Sequence, residues 1–263
     1  MLSVLPMLVR LHVKAQMEYR GAFLLNRVVQ IITYASVYIA IWVLLNRFDS
    51  LGGWDWGDMA LLLAFQLLAY SLGASLSFVQ FRNIEGLVQN GTFDVLLVKP
   101  ISPWAYLTFS GLNIDYAGHI ALAVGLLIWA LTQTDVTVTA GSMIYLFAAL
   151  LSAAAVTAAL MTMIGAAALV LVRSSYLFAI FFGFWELTRY PISIYPAALQ
   201  WMMLTIVPLG FLAYVPAAVF LGKDVVILGA WAPFASLVAG PIAVGIAMLH
   251  WRWSIRHYQG GGG

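Results

Sequence analysis

RNIEGLVQNGTFDVLLVKPISPW, residues 82–104, is a long, charged and proline-containing interruption in a chain that otherwise reads as lipid-soluble helix. Apolar runs flank it at 59–80 and 106–132, and others follow or precede at 25–46, 141–172, 176–190, 197–222 and 227–250. A hydrocarbon core of about 30 Å needs about 20 helical residues, so most of these runs are long enough to cross a bilayer. The loop is itself patterned. Ile84 to Val88 has the spacing of a short amphipathic helix, Asn90-Gly91 is a turn signal, and Pro100 with Pro103 directs the exit into the next run. Asp94 is placed to cap a short helix over Val95 to Val98, whose apolar side chains are expected to lie against protein or membrane.

Composition excludes a soluble fold. Hydrophobic residues make up 63% of the chain and charged residues 8%, with a mean hydropathy of +0.97, whereas soluble domains carry roughly a quarter charged residues. The expected class is an all-α polytopic membrane protein. A net charge of +2 gives no reason to expect nucleic acid, and the absence of cysteine removes disulfides and thiolate metal sites. Residues 1–20 mix leucines with Arg10, Lys14, Glu18 and Arg20, as suits a helix lying in the interface. The terminal Gly260 to Gly263 has no packing value and is left out of the fold.

Charge sorting sets the topology. Basic residues cluster near both ends, so both termini are expected on the cytoplasmic side and the number of crossings is even. Six spans follow, at 25–46, 59–80, 106–132, 141–172, 176–190 and 227–250, with 191–222 as a re-entrant hairpin on the outer side. Pro191, Pro196, Pro208 and Pro216 favour a broken segment there. This arrangement puts nine of the twelve Lys and Arg residues on the cytoplasmic side, together with loop 82–104. The fourth run is rich in Ala, with Thr157, Thr162 and Gly165, so it is expected to pack closely against neighbours within the subunit.

Candidate chemistry is sparse. The Gly222-Lys223 pair lacks the flanking residues of a phosphate-binding loop, so no ATP site is expected in this chain. Asp115 and His119 are four apart on one helix face, as an ion or proton relay would require, although the favoured reading is that Asp115 caps its helix at the interface. Glu186 and Arg189 are three apart and could pair where the fifth span surfaces, or form part of an outer gate. Phe181, Phe184 and Trp185 are pathway candidates, with packing or lipid contact as the alternative.

The run Gly91 to Pro100 resembles the G-x-x-D-x-x-L-x-K-P element between the second and third spans of ABC transporter type-2 export permeases. Residues Arg189 to Pro196 and Ile206 to Ala217 resemble the outer hairpin of that family. The resemblance extends over nearly the whole chain and implies a permease subunit of a drug- or antibiotic-efflux-like branch in the bacterial inner membrane. It further implies a second permease, like or unlike, and separate ATP-binding-cassette ATPase subunits that hold ATP and magnesium. Loop 82–104 would be the coupling element, with Arg82, Glu85, Gly91, Asp94, Lys99 and Pro100 as its ATPase-coupling residues. Two alternatives stand beside this: a secondary transporter using Asp115 and His119, and a membrane scaffold whose loop recruits a soluble partner.

Overall fold

The computed structural model describes residues 20–110, 115–134 and 136–260. The interfacial helix expected over 1–20 lies outside these residues, except that Arg20 already belongs to the first helix. The described residues form helices α1 (Arg20–Phe48), α2 (Trp56–Ser75), α3 (Phe78–Arg82), α4 (Ile84–Gln89), α5 (Asp94–Leu97), α6 (Pro103–Ser110) and α7 (Asp115–Leu131). The chain continues with α8 (Ala140–Leu171), α9 (Ser175–Leu187), α10 (Ala197–Thr205), α11 (Tyr214–Phe220) and α12 (Ala232–Arg256). Stretches Val28–Phe48, Trp56–Ser75, Ala140–Leu171 and Gly229–Arg256 are long and apolar enough to cross a membrane.

Local chemistry sets the helix ends. Asp55 and Asp58 form a reciprocal capping box at the start of α2, and Thr139 with Ser142 does the same for α8. The apolar run 59–80 is not one helix: α2 stops at Ser75 and α3 begins at Phe78. Ser71, Ser75 and Ser77 turn their hydroxyls back onto the carbonyls of Leu67, Leu72 and Gly73, a bonding pattern that competes with the helical ladder and bends it. Within the run 106–132 the described residues are helical in α6 up to Ser110 and in α7 from Asp115 to Leu131.

The core is built around α8. Gly73 of α2 lies against the backbone of Ala154, and Gly240 of α12 lies against that of Ser152, so neither position has room for a side chain. The Gly240 N–H donates to Ser152 Oγ at 2.9 Å. Gly165 of α8 meets Phe81 of α3, where an added Cβ would fall 2.6 Å from the Phe81 Cβ. Small residues thus let three segments approach one helix at backbone distance, as the composition of the fourth run leads one to expect. A smaller apolar cluster of Phe81, Ile84, Phe93, Leu96, Leu169 and Trp251 closes the end of the bundle that carries loop 82–104. In contrast, α1 leaves Val29, Ile32, Ile39 and Val43 exposed.

Candidate functional site

Loop 82–104 folds as two short helices across a turn. Gly91 takes φ 66°, the left-handed conformation that a side chain disfavours, and this reverses the chain between α4 and α5. Ile84, Phe93 and Leu96 point into the small cluster and hold the loop against α8 and α12. Of the Val95 to Val98 stretch, Leu96 lies against the protein. Val95 is 57% exposed, Leu97 41% and Val98 83%, because a helix this short can bury only one face. Asp94 does not cap α5 from outside. It is the first helical residue, follows Phe93, and no side-chain cap bond forms.

The charged residues of the loop turn toward the protein. Asp94 lies beside Gly260 and near the Tyr258 hydroxyl, whose pKa is raised by burial and further by the Asp94 carboxylate. Lys99 places its ammonium 3.6 Å from the centre of the Tyr106 ring, and the Arg82 guanidinium lies 5.6 Å from that of Phe78. Pro100 is exposed.

Glu85 reaches furthest into the structure. Its carboxylate accepts the backbone N–H groups of Ser174 at 2.7 Å and Ser175 at 2.6 Å, the Ser175 hydroxyl at 3.4 Å and the Gln89 amide at 3.3 Å. The first N–H groups of a helix lack partners within it, and the local dipole favours negative charge. Here α9 receives its cap from the loop, since Ser174 makes no side-chain cap bond of its own. The Ser174 bond is the largest cause holding the Glu85 pKa below its ordinary 4.5, assisted by Ser175 and opposed by partial burial. A depressed carboxylate contributes stability that is complete above pH 4.5 and is lost as pH falls through the lowered value. Carbon-13 NMR of the Glu85 carboxyl is expected to titrate below 4.5, and a midpoint at or above that pH would refute the cap. Immediately upstream, Val172 sits at φ 63°, a strained conformation for a β-branched residue.

The other end of α9 is also held from outside. The Gln66 amide donates to the Trp185 carbonyl at 3.1 Å and the Thr188 hydroxyl at 2.6 Å, while the Tyr195 hydroxyl donates to the Leu187 carbonyl at 3.0 Å. Gln66 stands at the middle of the 20-residue α2, about 15 Å from either end. The C-terminus of α9 is therefore level with the centre of α2, well short of where a full span would surface. There Glu186 and Arg189 form a two-point ion pair at 2.6 and 2.7 Å, with the guanidinium 5.4 Å from the Trp185 ring centre. Glu186 is 50% exposed and Arg189 24%.

Residues 191–222 form a broken segment. Pro191 is buried, Pro196 precedes α10, and Pro208 ends the descent, after which α11 leaves at 80° to α10. Pro216 falls in the first turn of α11, where it is tolerated. Both ends of the segment meet the region around residues 52–58: Gly52 packs on Ile194, and Lys223 bonds Asp58 and the Gly53 carbonyl, each at 2.8 Å. Its tip, Val207, shares an apolar cavity of about 290 Å³ with Met163, Phe181 and His250.

Of the pathway candidates, Phe181 and Trp185 are buried and Phe184 is partly so. Trp185 and Phe182 contact Tyr70. His119 shares a 2.8 Å hydrogen bond with Gln30 and packs on Tyr34 and Tyr116. The side chain of Asp115 lies outside the described residues, although α7 begins at this position. Among the described residues no cluster of His, Asp and Glu could hold a metal ion. Sequence reasoning did not find Gln66, Ser174 or Ser175, and it placed Tyr195 only within the run that resembles the outer hairpin. Only Gln66 carried a signal, as a lone amide in an apolar run.

A family described as "ABC-2 family transporter protein" has a sequence model that matches residues 31–262. No curated protein and no solved structure matches the chain.

Proposed function

Because the chain belongs to the ABC-2 transporter family, and is therefore an integral membrane protein of an ABC transporter, we propose that it is the permease subunit of an ATP-driven exporter. The family places the ATPase on a separate subunit, where ATP and magnesium would bind. Two permeases, like or unlike, would enclose the path in a bacterial inner membrane with both termini cytoplasmic. Loop 82–104 would face the cytoplasm and receive the ATPase, while 191–222 would enter and leave from the opposite side as a re-entrant hairpin.

The single observation that carries this reading is the division of the loop into two faces. One face rests on the bundle through Ile84, Phe93 and Leu96, and the other presents Val95, Leu97 and Val98 uncovered. An apolar ridge on a braced base suits docking into a groove of a soluble partner, since buried apolar anchors dominate interface energetics. Arg82 and Pro100 would lie at the rim. Glu85, Asp94 and Lys99, turned toward the protein, would keep the loop in shape. The ridge would carry motion from the ATPase into the bundle, and the spans would shift as packed bodies to open the path.

The test is co-purification of the ATPase with a permease in which Val95, Leu97 and Val98 are all serine. Association is expected to weaken by about a hundredfold, from loss of roughly 3 kcal/mol of apolar burial. Undiminished association would remove the ridge from the interface. Transport by the permease alone under a proton gradient would instead favour a secondary transporter.

A further inference from the structure

We propose that Glu85 is a positioning residue that makes α9 move with the coupling loop, and so carries ATPase motion to the Glu186–Arg189 pair. The inference rests on loop 82–104 being the coupling element, and it gives Glu85 a task other than touching the ATPase. Four hydrogen bonds converge on the Glu85 carboxylate, and three of them come from Ser174 and Ser175 at the start of α9. A rigid helix of 13 residues then connects this point to the ion pair, about 20 Å away.

Three features make α9 suited to transmission. Its start follows Val172 at φ 63°, a strained joint that ends α8 and lets α9 take its own direction. Its flank is lightly covered, with Tyr176 and Ile180 each 51% exposed. Its far end carries the only ion pair on the helix among the described residues, and that pair is bonded within the segment Glu186 to Arg189 and travels with it. Gln66 ties the Trp185 carbonyl and the Thr188 hydroxyl back to α2, where Tyr70 also packs on the Trp185 and Phe182 rings. Among the described residues the polar bonds between the loop and α9 converge on Glu85 as a charge-assisted clasp, while just before the loop Phe78 of α3 packs edge-on against Phe178 and Phe182 of α9.

The protein has no cysteine, which permits clean labelling. Nitroxides at N90C, an exposed turn position outside the docking ridge, and I180C in the permease–ATPase complex, reconstituted in lipid, report the loop-to-α9 distance, and a pair at I180C and L249C reports α9 against α12. On ATP binding the loop is expected to rock on its apolar seat against α8 and α12, so that the first distance stays fixed and the second changes. In Glu85→Ala the first distance should change instead, ATPase association should persist, and transport per ATP hydrolysed should fall about tenfold.

Adding Ser175→Asp to Glu85→Ala separates capping from transmission. The new carboxylate belongs to α9 itself, so it should restore amide protection at the start of that helix without restoring transport. Recovery of transport by this second variant, or a loop-to-α9 distance in Glu85→Ala that stays fixed as in the wild type, would overturn the inference. If the wild-type complex shows no ATP-dependent change at either pair, the coupling function itself fails. Normal coupling in Glu85→Ala with a working wild type fails the inference alone.

Discussion

Substituting valine for Gly240 is expected to remove most of the folded protein. A Cβ at this position would meet the carbonyl oxygen of Ser152 and lie 2.7 Å from its Cα, and neither backbone atom can rotate away as a flexible side chain could. The helices would have to separate, which also breaks the bond from the Gly240 N–H to Ser152 Oγ. Overpacking at a close backbone contact costs on the order of 3 kcal/mol. Thermal unfolding in detergent, monitored by intrinsic tryptophan fluorescence, is expected to show a lower midpoint and a reduced yield. Gly245 is the internal control: it lies on the same helix, with nothing within 4 Å of its Cβ position. Equal behaviour of the Gly240→Val and Gly245→Val proteins would show that backbone approach to α8 does not hold the bundle together.

The second large effect is expected at the end of α9. If α2 spans the bilayer, Arg189 and Glu186 sit near its centre, where an unpaired charge costs about 2.5 to 3.5 kcal/mol on insertion scales. Arg189→Leu leaves the carboxylate without its partner. The variant is expected to lose both stability and transport. The double change Glu186→Gln with Arg189→Leu removes both charges and should regain most of the thermal midpoint while transport remains low. A single variant as stable and active as the parent would show that the pair is dispensable at this depth. Recovery of transport in the double variant would reduce it to a structural clasp.

The apolar pattern made the helical class legible because long lipid-compatible runs have few alternative explanations, and α8 matches its expected 141–172 to within a residue at each end. Breaks inside such runs were harder to see. Ser75 and Ser77 bond their own helix in the structure, yet serine in an apolar run reads equally well as a packing residue. The short length of 176–190 was visible, but its depth was not, because depth depends on Gln66, a residue 119 positions before Trp185. Glu85 was recognisable as a member of the loop motif. Its bonds to Ser174 and Ser175 could not be read from the chain, since they are 89 and 90 residues away and the accepting helix gives no sign that it lacks a cap.

Asp94 illustrates a narrower limit. An acidic residue before an apolar tetrad fits an N-cap, and the structure starts the helix one residue earlier, at Asp94 with Phe93 in the N-cap position, because that ring is drawn into the cluster beside Tyr258. Burial of an aromatic ring outweighs one capping bond, which is worth about 1 kcal/mol. The same pull explains why Leu96 alone among its neighbours is covered.

The glycine contacts along α8 have a mechanical meaning. Where backbones touch there is no layer of side chains to slide or repack, so α2, α8 and α12 behave as one chassis, with α3 bolted to it through Gly165. A machine needs a stationary frame as much as a moving arm. Mobility is thereby assigned to the members outside that weld, and an external force applied at one end would reach the arm instead of being dissipated in the frame.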